Sequence, residues 1–268
     1  MPKTILLTGA TDGIGLLTAK KLAFKGHRLL LHGRNEAKLA QVIHDLKGDN
    51  PGIDVEAYVA DLSSFRDIAE LADNVAEHHS HIDVLINNAG VFKTTNNLTQ
   101  DNLDVRFVVN TLAPYILSKQ LLKRMDGSGR VVNLSSAAQA SVDLDALQGV
   151  KALDDYAAYA QSKLALTMWS KHLADELRES GPAIIAVNPA SFLGSKMVQE
   201  AYGVAGSDLS IGADILCRAA LSDEFNDASG KYFDNDSGQF AQPHSDALNP
   251  KKNAQLVSIL DNMLSKYI

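Results

Sequence analysis

The sequence is poor in cysteine and in long apolar runs. Its one cysteine, Cys217, cannot form a disulfide within the chain, which fits a reducing compartment. No stretch reaches the roughly 18 apolar residues of a membrane-spanning helix, and the N-terminus lacks the basic and long apolar regions of a secretory signal. We therefore expect a cytoplasmic protein with no membrane partner.

Basic residues are also in the minority. The chain has 25 lysine and arginine residues against 32 aspartate and glutamate residues, for a formal net charge of -7. Such a balance creates no field that would attract nucleic acid or an anionic membrane. The hydrophobic and charged fractions, 46% and 21%, are ordinary for a soluble globular protein. Neither a linker nor a repeat interrupts the sequence, so we expect a single domain over residues 1–268.

Short apolar runs alternate with helical patterns along most of the chain. The first run begins at Thr4 and the sixth ends at Val187. This succession of strand-then-helix units predicts an α/β fold with a parallel, doubly wound sheet, right-handed crossovers and helices on both faces. The segments expected to form loops that shape a substrate pocket are residues 91–98, 137–154 and 191–210. Composition alone equally permits an ordinary surface excursion for the last of them.

A glycine-rich turn joins the first strand to the first helix. Glycines let a backbone approach a ligand closely, and the first N–H groups of a helix suit a pyrophosphate. The spacing Gly-x-x-x-Gly-x-Gly departs from the fingerprint Gly-x-Gly-x-x-Gly, so a turn kept only for tight packing is the alternative. The candidate cofactor-binding residues here are Thr8, Gly9, Thr11, Asp12, Gly13, Ile14 and Gly15.

The second strand ends in Gly33-Arg34-Asn35, without a carboxylate. In a dinucleotide fold this position faces the adenosine ribose. An acidic residue there would suit the 2′-hydroxyl of NAD, and an arginine would suit the 2′-phosphate of NADP. Arg34 therefore favours NADP(H) over NAD(H). The alternative is that Arg34 is an ordinary solvated arginine, since arginines are common on protein surfaces. The glycine turn also carries Asp12 where a second basic residue would favour NADP(H).

Further candidate positions follow later strands. Asp61 comes after the third strand, where it would either contact adenine or form part of the turn. The fourth strand ends in Asn87-Asn88-Ala89-Gly90, which suits a turn and equally suits a backbone brought close to a ligand. The candidate cofactor-binding residues at these ends are Asp61, Leu62, Asn88, Ala89, Gly90, Pro189 and Ala190.

Histidines crowd the end of the third predicted helix, at His78, His79 and His81. No cysteine or carboxylate grouping nearby supports a metal site, and histidine near a helix C-terminus fits the helix dipole. The sequence therefore predicts no metal.

Tyr159 and Lys163 stand four residues apart at the start of a long amphipathic helix. This spacing puts them on one helix face. An ammonium close to a phenol favours the phenolate and lowers its pKa from about 10, so the pair could shuttle a proton. Such pairs also occur on many solvated helix faces. Asn110 interrupts the apolar side of an earlier helix, and a buried asparagine there is either a structural hydrogen-bond node or part of a site.

These motifs, together with the strand that ends in Ser135-Ser136, resemble the short-chain dehydrogenase/reductase family from Thr4 to about Pro189. The resemblance implies a seven-stranded Rossmann-like sheet in the order 3-2-1-4-5-6-7. It also implies NAD(P)-dependent hydride transfer between the nicotinamide and a carbonyl or secondary alcohol. By position in the family pattern, Tyr159 would be the general acid/base and Lys163 would bind the nicotinamide ribose. Ser136 would hydrogen-bond the substrate oxygen, and Asn110 would hold a water that links Lys163 to solvent.

Other features narrow the resemblance. The long interval between Ser136 and Tyr159 and the ending Gly230-Lys231-Tyr232-Phe233 look like the retinol-dehydrogenase-like and protochlorophyllide-reductase-like branch, which implies an apolar or bulky substrate. Many family members have Pro-Gly after the sixth strand and then a threonine. This chain has Pro189-Ala190 and, further on, Ser195. The family also commonly forms dimers or tetramers through two helices, one of which carries the catalytic tyrosine.

Three alternatives remain open at this level. The chain could be a catalytically silent dinucleotide-binding regulator or scaffold, although such a protein would not require Asn110, Ser136, Tyr159 and Lys163 together. It could use NAD instead of NADP. It could also be a lyase or epimerase on the same fold, which would not consume cofactor in stoichiometric amount.

Overall fold

A single mixed sheet crosses the computed structural model, which describes residues 1–178 and 180–268. The strands are β1 (Thr4–Leu7), β2 (Arg28–Gly33), β3 (Val55–Val59), β4 (Val84–Asn87), β5 (Arg130–Leu134), β6 (Ala183–Asn188), β7 (Tyr232–Asp234) and β8 (Gln239–Ala241). They lie in the order β3-β2-β1-β4-β5-β6-β7-β8, and every neighbouring pair is parallel except β7 and β8. The predicted α/β class and strand order are confirmed.

The strand β8 corrects the predicted strand number from seven to eight within the described residues. A polar turn after β7 reaches Gly238, whose φ of 69° is in the left-handed region that glycine adopts easily. The chain then reverses, and the ring of Phe240 packs 5.2 Å from Phe225 and 5.1 Å from Phe233, measured between centroids. Three residues with one inward aromatic ring give too little pattern for a sequence-based prediction.

Helices cover both faces of the sheet, as expected. They are α1 (Gly13–Phe24), α2 (Glu36–Asp49), α3 (Phe65–His78), α4 (Val105–Phe107), α5 (Ala113–Leu121), α6 (Leu144–Leu147), α7 (Asp155–Leu177), α8 (Lys196–Tyr202), α9 (Ser210–Leu221) and α10 (Pro250–Leu264). The helices α1, α2 and α9 share one apolar core with Ile5 and Leu7 of β1. On the other face, α3, α5, α7 and α10 pack around Leu6. Alternate residues of β1 therefore serve opposite cores, as the two-residue period of a strand requires.

Side-chain caps set where several helices begin. Asp12 accepts a hydrogen bond from the Gly13 N–H at 2.8 Å, and Asn35 accepts one from the Lys38 N–H at 2.9 Å. Ser64 caps α3, where its hydroxyl accepts from the Asp67 N–H at 3.3 Å. Such caps satisfy donors that the first helical turn leaves unpaired. Each cap here lies in the connection that follows a parallel strand, so the helices start at the same edge of the sheet.

The predicted helix that contains Asn110 is not continuous. A π-helical turn at Val108–Leu112 separates α4 from α5, and a 3₁₀ turn at Leu122–Arg124 follows. Asn110 lies in the π turn. Turns of this kind are rare and occur frequently at functional sites.

The helix that carries Tyr159 is buried within its own chain. All ten residues from Gln161 to Ser170 are buried, and α10 packs along α7. The hydroxyl of Tyr115 in α5 also donates to Asp261 of α10 at 2.6 Å. Helix α10 therefore covers the face through which the family resemblance implies dimers. A homo-oligomer built on α5 and α7 would have to contact α10 or displace it, and the oligomeric state stays a prediction.

Within residues 1–178 and 180–268, no helix has both the length and the low polarity that crossing a membrane demands.

Candidate active site

A cleft of about 800 Å³ opens along the carboxyl edge of the sheet. The parallel register brings the turns after β1 to β6 to this edge, where ligands of doubly wound sheets bind. Most of the predicted site residues line it: Gly9, Thr11, Asp12, Gly13, Ile14, Gly15, Arg34, Asp61, Leu62, Asn88, Ala89, Gly90, Ser136, Tyr159, Lys163, Pro189 and Ala190. Two predicted residues, Thr8 and Asn110, lie behind the wall.

Two glycines of the first turn are required by packing within the chain. A Cβ at Gly15 would lie 2.1 Å from the carbonyl oxygen of Gly9, and one at Gly9 would lie 2.9 Å from the Cα of Ala89. Both distances are shorter than real contacts allow. The close packing that the sequence offered as an alternative therefore exists, and it occurs in the same turn that lines the cleft.

Thr8 ties the glycine turn to the turn after β4. It is buried, and its hydroxyl accepts hydrogen bonds from the backbone N–H groups of Asn88 at 3.0 Å and Ala89 at 3.1 Å. The Asn88 amide donates back to the carbonyls of Thr8 and Gly9, at 2.8 and 3.1 Å. The hydroxyl thus holds Asn88 and Ala89 in place, and the predicted cofactor contact of Thr8 stays a prediction.

His32, which the sequence reasoning missed, joins three strand ends. The Gly9 N–H donates to its Nδ1 at 3.2 Å, and its Nε2 lies 3.1 Å from the carbonyl oxygen of Ala60. Burial lowers the pKa of this imidazole to about 4. The ring is therefore neutral at pH 7 and carries its proton on Nε2, since a carbonyl only accepts. A polar residue at the end of the apolar run Leu29-Leu30-Leu31 was the available signal.

One end of the cleft carries two cationic side chains. Arg34 stands directly after β2, and Lys38 lies in the first turn of α2, four residues later. Lys38 was not predicted, because a second basic residue was expected in the glycine turn, where Asp12 stands. The available signal was the four-residue spacing of Arg34 and Lys38, which stand on either side of the helix cap Asn35. This spacing puts both side chains at the start of one helix.

Asp61 lines the same end of the cleft, and it also closes its own turn. One carboxylate oxygen accepts from the N–H of Ser63 at 2.9 Å and from the hydroxyl of Ser63 at 2.8 Å. The turn role that the sequence analysis left open is therefore present, and a contact to adenine stays a prediction.

Lys163 reaches the opposite end of the cleft from a buried position. Its Nζ donates to the carbonyl oxygen of Leu134 at 2.6 Å and lies 5.8 Å from the centroid of the Tyr159 ring. A Cβ at Gly90 would lie 3.5 Å from this nitrogen and 3.3 Å from Asn110 Oδ1, so the backbone of Gly90 packs close to both side chains. Phe92 packs edge-on against the Tyr159 ring, with centroids 4.8 Å apart. The spacing predicted from the sequence thus puts both side chains at one wall.

The two serines after β5 have different surroundings. The Ser135 hydroxyl is buried and shares a 2.7 Å hydrogen bond with Thr167 of α7. Ser136 is half-buried in the cleft wall, where its hydroxyl accepts from the Ala138 N–H at 3.1 Å. The Tyr232 hydroxyl donates to the Ser136 carbonyl at 3.1 Å and fixes this turn. Of the pair, Ser136 has the position expected of a substrate donor.

The Asn110 side chain is a hydrogen-bond node behind the cleft. Its Oδ1 accepts from the Val91 N–H at 2.8 Å, and its Nδ2 donates to the Val91 carbonyl at 2.9 Å and to the Ser162 hydroxyl at 3.0 Å. The structural reading is therefore correct for the side chain, which fastens the loop after β4 to α7. A water held at Asn110 would have to use its backbone, and that role stays a prediction.

The segment after β6 forms the roof of the cleft. Ser195 caps α8 by accepting from the Val198 N–H at 3.2 Å, and Met197 and Val198 line the cleft. The predicted loop 191–210 thus contains a short helix. The side chains of Ala201 and Tyr202 lie outside the described residues.

The three histidines near the end of α3 make separate contacts within the protein. His78 Nδ1 lies 2.8 Å from the Asn74 carbonyl, and His79 Nε2 lies 2.8 Å from the Tyr58 hydroxyl. His81 lies 3.7 Å from an Asp83 carboxylate oxygen. Among the residues that the structure describes, no three histidine, cysteine or carboxylate side chains group as metal ligands do.

A second groove, of about 630 Å³, lies between α1 and α9. Its lining includes Lys20, Lys25 and the exposed ring of Phe24, and no predicted site residue is among the lining residues that the structure describes. The candidate active site is therefore the cleft at the sheet edge.

The buried Lys163 makes stability depend on pH. Burial lowers its pKa from 10.5 to about 8, so between these values the unfolded chain holds a proton that the folded chain has lost. We expect the free energy of unfolding, compared with that of Lys163→Met, to rise by about 3 kcal/mol over this range. Urea unfolding of both proteins at several pH values between 7 and 10.5 measures it. A difference that stays constant would contradict the lowered pKa.

Comparison with known proteins adds independent evidence. The family model for short chain dehydrogenase matches residues 3–203. Retinol dehydrogenase 13 of Homo sapiens is 33% identical over 253 residues, which cover 87% of this chain and 76% of that protein. Polyprenol dehydrogenase of Homo sapiens is 35% identical over 192 residues, 69% of this chain and 58% of that protein.

Solved structures agree with these matches. A protein from Mycobacterium paratuberculosis that is described as uncharacterized superposes with a TM-score of 0.82 and 25% identity, covering 98% of this chain and 93% of its own. A short chain dehydrogenase from Shigella flexneri, complexed with NADP, has a TM-score of 0.69 and 25% identity, covering 87% of this chain and 97% of its own.

Proposed function

The chain belongs to the short-chain dehydrogenase family, in its retinol-dehydrogenase-like branch, and we propose that it is an oxidoreductase that prefers NADP(H) and acts on an apolar carbonyl or secondary alcohol. Membership makes it an NAD(P)-dependent dehydrogenase/reductase, as the motifs predicted. The cofactor preference and the residue roles are our proposal. The observation that carries it is one continuous cleft, with Arg34 and Lys38 at one end and Ser136, Tyr159 and Lys163 at the other.

The chemistry of the cleft wall fits a phosphorylated dinucleotide. The N-terminus of α1 opens into the middle of the cleft, where backbone N–H groups and the helix dipole favour a diphosphate. In the sheet, β1 and β4 lie between β2 and β5. The cationic pair after β2 and Tyr159 therefore lie on opposite sides of the N-terminus of α1. Gly90 and Lys163 both line the cleft at the end where the nicotinamide ribose would lie.

Arg34 and Lys38 support the preference for NADP(H). A 2′-phosphate adds negative charge and three strong acceptors where NAD has a hydroxyl, and charge-assisted hydrogen bonds to phosphate are among the stronger ones in proteins. Gly33 and Asn35, the positions on either side of Arg34 in the cleft wall, carry no carboxylate that would favour the 2′-hydroxyl of NAD. NADP in the Shigella flexneri relative is consistent with this preference.

Tyr159 is the residue that transfers the proton. The bound nicotinamide supplies or accepts the hydride. During reduction Tyr159 gives its phenolic proton to the substrate oxygen, and the Ser136 hydroxyl donates a hydrogen bond to the same oxygen as negative charge develops there. Lys163, when protonated, stabilises the phenolate that remains. Carbonyl carbon and oxygen thus gain one hydride and one proton, and oxidation of the alcohol reverses each step.

An apolar substrate agrees with the walls beyond Tyr159. The apolar residues Val91, Phe92, Val109, Phe192 and Met197 all line the cleft. The names of the relatives, retinol and polyprenol dehydrogenase, are those of enzymes for apolar alcohols. A cytoplasmic location and a homodimer or homotetramer also remain predictions.

Mixing the protein with NADPH and a panel of apolar aldehydes and ketones tests the proposal. We expect oxidation of NADPH at 340 nm with at least one member, and slower oxidation of NADH. A silent nucleotide-binding protein would bind NADPH and oxidise it with no member of the panel. A lyase or epimerase would convert substrate without stoichiometric loss of NADPH. Absence of both binding and oxidation would refute the proposal.

A further inference from the structure

The turn after β6 has a strained backbone. Ala190 has a φ of 113° and Phe192 a φ of 52°, both in the region that side chains other than glycine rarely adopt. Pro189, Ala190, Ser191 and Phe192 all line the cleft. Strained residues persist only where the surrounding structure holds them. Contacts from other segments must therefore hold the turn at Pro189–Phe192 in this conformation.

The tip of the β7–β8 hairpin supplies the contacts. The Asn188 side-chain amide donates to Asp234 at 2.8 Å and to Asp236 at 2.9 Å. The Asn235 amide donates to the Pro189 carbonyl at 2.9 Å. These bonds reach the turn from the last residue of β7 and from the connection between β7 and β8.

Asp236 contacts the strained turn on both sides of Ala190. One carboxylate oxygen accepts from the Ser191 backbone N–H at 2.8 Å. The other accepts from the Ser191 hydroxyl at 2.6 Å and from the Asn188 amide before Ala190. A single carboxylate thus holds Asn188 and Ser191, the two residues that flank Pro189-Ala190.

We propose that Asp236 is a positioning residue that holds the turn at Pro189–Phe192 in the shape that receives the nicotinamide end of the cofactor. This role rests on the proposed function. Asp236 itself is exposed at the hairpin tip and acts through the backbone of Ser191. Without it, the turn relaxes toward a favourable φ at Ala190, and the nicotinamide end of the cleft changes shape while the Arg34 end does not.

Binding measurements with two ligands separate this role from general damage. NADPH fills both ends of the cleft, whereas adenosine 2′,5′-bisphosphate carries only the adenosine half. We expect Asp236→Ala to raise the Kd for NADPH about tenfold, the equivalent of losing one net hydrogen bond. The Kd for adenosine 2′,5′-bisphosphate should stay the same. Isothermal titration calorimetry measures both without requiring turnover.

A double-mutant cycle with Ala190→Gly tests the connection to backbone strain. Glycine adopts a positive φ without the cost that alanine carries, so the turn needs less support. Asp236→Ala should therefore raise the NADPH Kd by a smaller factor in the Ala190→Gly background than in the wild type. Ala190→Gly should also raise the midpoint of urea unfolding. An equal factor in both backgrounds would mean that Asp236 does not act through the strained turn.

Asp126→Ala is the matched control. Asp126 makes the same pair of bonds, accepting from the Ser128 N–H at 2.8 Å and its hydroxyl at 2.7 Å, in a turn before β5. It should leave both Kd values unchanged. If Asp236→Ala does not fold, Asp236→Asn takes its place, because it keeps one acceptor oxygen. It should raise the Kd for NADPH by a smaller factor and leave the Kd for adenosine 2′,5′-bisphosphate unchanged.

Three results would overturn the role. They are an unchanged NADPH Kd, equal weakening of both ligands, and equal factors in the two backgrounds. A wild type that binds neither ligand would refute the proposed function first, and the role of Asp236 with it.

Discussion

Replacing Tyr159 by phenylalanine is expected to lower kcat by about 10²- to 10⁴-fold, the usual contribution of general acid–base catalysis. The change removes one oxygen atom and keeps the ring that packs against Phe92. Cofactor binding should therefore change little, because the phenol acts on the substrate oxygen in the transition state. Steady-state kinetics with NADPH and the best carbonyl of the panel give kcat, and calorimetry gives the Kd for NADPH.

Tyr156 provides a control within the same aromatic cluster. Its ring also packs against Phe92, with centroids 5.0 Å apart, but it stands three residues earlier and its side chain is half exposed. Tyr156→Phe should keep kcat within about twofold, since surface changes usually have small effects. A Tyr159→Phe protein with near wild-type kcat would assign the proton transfer to another group. An equal loss in both variants would show that the cluster is needed only for packing.

Removing both cations at the other end of the cleft is expected to reverse the cofactor preference. Each charge-assisted hydrogen bond contributes about 1.5–3 kcal/mol, so Arg34→Ala with Lys38→Ala should raise the KM for NADPH by about 10²-fold or more. NADH has no 2′-phosphate, so its KM should change much less. The ratio of kcat/KM for the two cofactors, at a fixed low ionic strength, measures the effect.

Lys47→Ala is the control for charge alone. Lys47 lies in the last turn of α2, the helix that carries Lys38, and is exposed outside the cleft. Lys47→Ala removes one positive charge from this helix and leaves Arg34 and Lys38, the proposed phosphate contacts, unchanged. If the double variant keeps its preference for NADPH, the NADP assignment is wrong while membership of the family still holds. If Lys47→Ala shifts the ratio equally, the effect comes from overall charge.

Local pattern explains which parts of the site were predictable. Tyr159 and Lys163 share a helix face because of their spacing, and Arg34 follows a strand whose apolar run is visible in the sequence. The order of strands and helices then brings their ends to one edge. None of these steps depends on knowing a side-chain contact.

Contacts between distant segments were not predictable. The Thr8 hydroxyl accepts from the Ala89 N–H and the Asn110 amide oxygen from the Val91 N–H, while the predicted site roles of both residues stay predictions. A sequence shows that a buried polar side chain needs a partner, but it does not show which partner is near. Lys38 and His32 were visible in the sequence, but only the packed structure turns both toward the cleft.

Periodicity along the chain was enough to predict the α/β class, and spacing was enough to put Tyr159 and Lys163 on one helix face. The order of the strands was implied by the family resemblance that the motifs carry, and the structure and the family model agree with it. Only the packed structure shows that β8 adds an antiparallel edge, that α10 covers α7 and that Asp236 holds Asn188 and Ser191. The last two features join residues far apart in the chain, and their free energy comes from packing and hydrogen bonds that exist only after the sheet has formed.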